Sequence, residues 1–147
     1  MRFARLAVGD WAGAGYACRM LADARVTAFL GATDTARARA FFEGVLGLTV
    51  LSHDSFALVL QSPTGSIRVT QVAEAARAPY TVLGWDVADI EAEVRALVQR
   101  GVVFTRYPGM GQDELGIWTA PSGSRVAWFQ DPDANVLSLS QHPSNLG

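Results

Sequence analysis

The chain has 147 residues, half of them apolar and 18% charged, with 12 cationic and 14 acidic side chains for a net charge of −2. That is the size and make-up of one globular domain, able to bury about 68–70% of its unfolded surface without a disulfide or metal staple, and the charge favours neither nucleic acid nor an anionic membrane. Every cation is arginine, which excludes Schiff-base and P-loop lysine chemistry, and a single cysteine (Cys18) with two histidines (His53 and His142) excludes an intrachain disulfide, a thiolate zinc cluster and a three-histidine site.

The first 22 residues show neither a period of 2 nor one of 3.6. Arg2 and Arg5 precede an apolar run that Asp10 interrupts, so this stretch reads as an extension without a signal peptide. No stretch approaches the roughly 20 apolar residues of a membrane span, and the cytoplasm is the expected location. Residues 23–147 then read as one domain.

That domain contains a repeat, over about residues 25–72 and 80–142. Each unit opens with an apolar strand, Val26–Ala32 and Thr81–Val87. Each continues with an aspartate suited to cap a helix, Asp34 and Asp89, whose carboxylate can accept from the free N–H groups of the first turn. The helices, Thr35–Leu46 and Ile90–Arg100, carry one apolar face each. Both stop at a glycine, Gly47 and Gly101, where a left-handed residue belongs. Strands Leu48–His53 and Val102–Tyr107 follow, and a hairpin closes each unit: Phe56–Gln61 with Ile67–Val72, and Arg125–Gln130 with Val136–Gln141. The closing strands read IRVTQ and LSLSQ. The fold class is α+β, as two tandem βαβββ modules.

The segments TDTARARAFFEGVLGLTV, GWDVADIEAEVRALVQRGV and AWFQDPDANVLSLSQ give the chain a resemblance to the vicinal-oxygen-chelate (VOC) superfamily, the glyoxalase, bleomycin-resistance and extradiol-dioxygenase group. The resemblance covers roughly Arg25 to His142. It implies modules forming a curved mixed sheet around an open cavity, with the helices outside, and a homodimer. Ala134 stands where the family usually has glycine, so this turn lacks easy access to a positive φ.

Alternation along the strands assigns side chains to the cavity. Thr27, Phe29 and Gly31 face inward from the first strand, Arg68 and Thr70 from the fourth. Val82, Gly84 and Asp86 face inward from the fifth, Ser138 and Ser140 from the last. A slip of one residue would exchange every assignment. In metal-dependent relatives, His, Glu or Gln ligands come from such positions, which fall here on Thr27, Arg68, Val82 and Ser138. None is a good ligand for a divalent ion, so no cofactor is expected. His53 and Asp54 sit in a turn and are expected to point into solvent, as is His142.

Arg68 in a partly apolar cavity needs an anion, since leaving it unpaired costs several kcal/mol. Asp86 is the internal candidate; a carboxylate or polarised oxygen on a ligand is the other. The loop Tyr107–Trp118 has the length and composition of a lid or binding loop. Its Tyr107, Met110 and Trp118, with Trp128, suit a flat apolar wall. Neither histidine has an evident seryl partner, and no Gly-x-Ser-x-Gly elbow occurs.

Three functions follow. One is metal-free binding of an aromatic or anionic small molecule. Another is a metal-dependent lyase, isomerase or dioxygenase, which needs a divalent metal. The third is an enzyme that uses Arg68 and Asp86 as electrostatic stabiliser and general base without metal.

Overall fold

A computed structural model describes residues 20–144. After a short 3-10 turn at Met20–Asp23, module one runs β1 (Val26–Ala32), α1 (Thr35–Arg39, continuing as a π-helix over Ala40–Val45), β2 (Val50–His53), β3 (Ala57–Ser62) and β4 (Gly65–Gln71). Module two runs β5 (Leu83–Asp86), α2 (Ile90–Gln99), β6 (Trp118–Thr119), β7 (Arg125–Gln130) and β8 (Val136–Gln141). Each module makes its own four-stranded mixed sheet, ordered β1-β4-β3-β2 and β5-β8-β7-β6. In each, the first strand runs parallel to the last and the hairpin pairs antiparallel.

The repeat extends to single hydrogen bonds. Asp34 accepts from the N–H groups of Ala36 and Arg37, and Asp89 from that of Ala92. The glutamine that ends each closing strand reaches the first helical N–H of its own module. Gln71 Oε1 accepts from Thr35 N at 3.2 Å, and Gln141 Oε1 accepts from Ile90 N at 2.8 Å. Three orphan donors at the start of α1 and two at the start of α2 are thereby satisfied within the module. Gly47 and Gly101 end the helices at φ 75° and 92°.

One apolar core lies under both helices. Leu30, Phe42, Leu58, Leu60, Ile67 and Val69 of module one meet Ile90, Val94, Phe129, Leu137 and Leu139 of module two. Phe129 joins the halves: its ring lies 6.5 Å from Phe41, 6.4 Å from Trp85 and 5.4 Å from Phe104. The sequence pattern predicts one helix over Thr35–Leu46 and gives no sign of its π-helical stretch. Phe41 and Phe42 are neighbours that both turn toward the core, edge to face at 5.2 Å. A regular α-helix separates neighbours by about 100°; the wider turn lets both pack.

Val102–Tyr107, expected as a strand, is irregular. Only Thr105 N, bonded to Trp128 O at 2.7 Å, follows the β7 edge. The reason is Gln112. Its side-chain amide accepts from Tyr107 N at 2.7 Å and donates to Thr105 O at 3.0 Å and Gly116 O at 2.8 Å, and so occupies backbone groups that a ladder would use. β6 takes the edge position beside β7 instead.

The Asp131–Asn135 turn clamps the modules. Asp131 Oδ1 accepts from Asp133 N and Asn135 N, and Oδ2 from Asn135 Nδ2. Asp133 Oδ1 reaches into module one, accepting from Thr33 N at 3.1 Å, Thr33 Oγ1 at 2.6 Å and Arg37 Nη2 at 3.3 Å. Asn135 Nδ2 donates to Gly31 O at 3.1 Å. Burial pushes the Asp131 carboxyl above the usual range; hydrogen bonds from Asn135 and Asp133 N–H oppose this, and the nearby Asp133 charge adds to the rise.

Ala134 takes φ 63°, which L-residues adopt at a penalty of roughly 1–2 kcal/mol. Ala134→Gly relieves it and loosens the unfolded chain, so the net gain should be about 0.5–1 kcal/mol, or a few degrees in melting temperature; calorimetry checks this. Asp131 gives a second test. The folded state holds its proton more tightly than the unfolded state, so its stabilising contribution is present below the ordinary carboxylate pKa and lost as pH rises through the raised value. Across that window, denaturant titrations should show Asp131→Asn gaining on the wild type as pH increases.

Candidate functional site

Leu30, Ile67, Val69, Leu137 and Leu139 are buried, as alternation requires. The residues between them therefore occupy the opposite faces. β1 and β5 border one cleft of about 220 Å³, lined by Val26, Ala28, Gly65 and Ser66 on one side and Leu83 and Gly84 on the other. Within the sheet-one side, β1 and β4 approach closely at Gly65, where a Cβ would meet Val26 O at 1.8 Å.

On sheet one, Arg68 sits in register between Phe29 of β1 and Val59 of β3. Phe29 is 66% exposed. Thr27 lies beside Ser66, hydroxyl to hydroxyl at 3.4 Å, and Thr70 opposes Gly31 and Ala57. Arg68 is half-buried, and its guanidinium makes no hydrogen bond or ion pair among the described residues. Asp54 is the nearby anion. Its carboxyl is held below the usual range mainly by the N–H groups of Phe56 and Ala57, with a smaller contribution from the Arg68 charge. Arg68 lines neither the cleft beside β1 and β5 nor one of about 530 Å³ between Arg37, Asp133 and the Ala73–Arg77 linker.

On sheet two, Gly84, Ser138 and Trp128 form one row across the face, and Asp86, Ser140, Val126 and Trp118 the next. Ser138 is buried, Ser140 half-buried and Val82 38% exposed. Tyr107 meets Trp128 edge-on at 5.5 Å, and the tilted ring of Trp118 lies 6.1 Å from Trp128, so three of the four aromatic-wall candidates cluster. Trp128 Nε1 donates to Thr81 Oγ1 at 3.2 Å. Met110 is half-buried in the same loop.

Two expectations change. Asp86 pairs with His142 rather than with Arg68: Nε2 lies 3.2 Å from Oδ1. Neither histidine is simply solvated, because His142 Nδ1 also meets Ser124 Oγ at 3.1 Å, and His53 Nε2 meets Thr35 Oγ1 at 3.0 Å. Asp54 does face solvent, where it closes its turn. The Ser124–His142 pair escaped the sequence reading, yet the hairpin contains it. Once Arg125 opposes Gln141, the next residues out are Ser124 and His142.

The chain belongs to the Glyoxalase/Bleomycin resistance protein/Dioxygenase superfamily, whose model matches residues 24–139. Solved structures agree on the fold. A glyoxalase/bleomycin resistance protein/dioxygenase from Alicyclobacillus acidocaldarius is 15% identical with a TM-score of 0.62, over 82% of this chain and 92% of that one. One from Nocardioides is 14% identical, TM-score 0.63, over 83% and 85%. A superfamily member from Sphaerobacter thermophilus is 20% identical, TM-score 0.62, over 81% and 97%. Among proteins of curated function, none matches.

The metal that the superfamily implies does not suit the donors here. Thr27 and Ser138 offer neutral hydroxyls, Val82 offers none, and Arg68 is a cation, whereas divalent ions take carboxylate or imidazole donors. Among the described residues, no three or more of His, Cys, Asp and Glu gather to hold an ion. Gln112 yields a prediction for the aromatic wall. Gln112→Ala removes three hydrogen bonds, should destabilise by about 1–3 kcal/mol, and should speed hydrogen exchange at the Tyr107 amide.

Proposed function

We propose that the chain binds a small aromatic, anionic molecule on the sheet faces turned away from the core, without a divalent ion. The observation that carries this is Arg68, a half-buried guanidinium flanked by Phe29 and Val59 and without an ion-pair partner among the described residues. A planar fork with five donors suits a carboxylate or an oxyanion. Phe29, exposed beside it, and the Tyr107–Trp118–Trp128 wall supply flat apolar surface for rings. Thr27, Thr70 and Ser140 add neutral hydroxyls to the same faces, while Ser138 is buried beneath them.

The reading includes a cytoplasmic homodimer. Val26 and Val82 are exposed at the β1 and β5 edges, and sheet edges are stabilised when covered. Among the described residues, no helix is long and apolar enough to cross a membrane.

Benzoate and 1-naphthoate serve as probes, with benzamide as the neutral control. The aryl carboxylates should raise the melting temperature of the wild type, and Arg68→Ala should weaken their binding about 10–100-fold, the worth of a charge-assisted hydrogen bond of about 1.5–3 kcal/mol. Equal binding by Arg68→Ala, or equal response to benzamide, overturns the proposal.

A further inference from the structure

Ser124, His142 and Asp86 form a hydrogen-bonded chain on the open face of sheet two. Ser124 Oγ lies 3.1 Å from His142 Nδ1, and His142 Nε2 lies 3.2 Å from Asp86 Oδ1. We infer that this chain is a nucleophile, base and orienting carboxylate, able to hydrolyse a small aryl ester. The inference goes beyond ligand binding and does not depend on Arg68.

The sheet register brings the three together. β7 and β8 pair so that Arg125 opposes Gln141 and Val126 opposes Ser140. Ser124 and His142 therefore stand opposite one another, one pair beyond the ladder. Asp86 opposes Ser140 on the other side of β8, one step back along the strand from His142. All three project from the face that carries Trp118, which shares a row with Asp86, Ser140 and Val126. The turn before Ser124 is held as well: Gly123 sits at φ 89°, and its N–H donates to Ala120 O at 2.9 Å while Ala120 N donates to Ser124 O at 2.8 Å. A Cβ on Gly123 would come within 3.2 Å of Pro143, the residue after His142. The side chains of His142 and Asp86 are 49% and 79% exposed, so an ester can reach them.

The carboxylate decides the tautomer. Ionised Asp86 only accepts, so the proton of neutral His142 stays on Nε2, and bare Nδ1 accepts from the Ser124 hydroxyl. In the reaction, Oγ attacks the ester carbonyl carbon while its proton passes to Nδ1. The bond from the acyl carbon to the aryl oxygen then breaks, and that oxygen takes the proton from Nδ1. Water attacks acyl-Ser124 and gives a proton to Nδ1. The bond from the acyl carbon to Oγ breaks, Oγ recovers the proton, and a carboxylic acid leaves. The net change is ester plus water to acid plus phenol. Trp118 offers the aryl group a flat surface. His142 and Ser124 touch the reacting atoms; Asp86 positions His142.

The test uses the full chain with 4-nitrophenyl acetate, following nitrophenolate release and the mass of the intact protein. Release above the buffer rate, with an acetyl adduct mapped to Ser124, is expected. Ser124→Ala should abolish the adduct, and His142→Asn should slow release about 10²-fold, the lower end of general-base contributions. Asp86→Asn should lower kcat with KM unchanged, as a positioning role requires. His53→Asn, which changes the other imidazole, should keep the wild-type rate. Circular dichroism confirms that each variant folds. Release that survives Ser124→Ala, an adduct on another residue, equal losses in His53→Asn and His142→Asn, or no release above buffer overturns the proposal.

Discussion

The fold depends on a buried acidic turn that ties one half to the other. Asp133 is a carboxylate from the last hairpin of module two, yet three of its hydrogen bonds end on Thr33 and Arg37 of module one. Its other oxygen is buried without a partner among the described residues. Such a group is costly to bury unless its surroundings are fixed. Asp131 and Asn135 do that fixing, by filling each other's hydrogen-bonding capacity and holding Gly31 O. The arrangement adds direction to the apolar packing around Phe129. Hydrophobic contact alone would let the modules slide, whereas a turn bonded at the end of β1 sets how the two sheets lie.

Much of this was legible in the sequence because the sequence states it twice. Paired capping aspartates and stop glycines bracket the helices, and apolar alternation assigned Arg68 and Asp86 to the faces away from the core. The two closing glutamines were visible as a repeated letter, and the structure supplies their reason: each satisfies the first helical N–H of its own module. The failed strand at Val102–Tyr107 shows the limit of pattern reading. Its β-branched and aromatic residues suit a strand, but the side-chain amide of Gln112 takes the backbone groups of Thr105 and Tyr107. Nothing in local periodicity signals that competition.

The site was legible by face and not by partner. Alternation says where a side chain points, but an ion pair depends on which strands are neighbours and in what register. Arg68 and Asp86 share an orientation and belong to different sheets, so their pairing did not follow. Asp86 finds His142 across β8, just past that strand's end. Ser124 and His142 are eighteen residues apart in sequence, and only the antiparallel count through the Asp131–Asn135 turn makes them neighbours. A turn one residue longer would have put them out of step.

The π-helical segment of α1 has a bearing on how the two halves came to differ. Gly47 stands thirteen positions after Asp34, while Gly101 stands twelve after Asp89. Module one thus carries one more residue between cap and stop than its counterpart. A helix that gains a residue can either rotate everything downstream by about 100° or absorb the addition in a single wide turn. Ala40–Val45 does the latter, so the exit of α1 keeps its bearing toward β2. If the halves descend from one duplicated ancestor, this segment is the scar of a one-residue insertion, healed within the helix in which it arose.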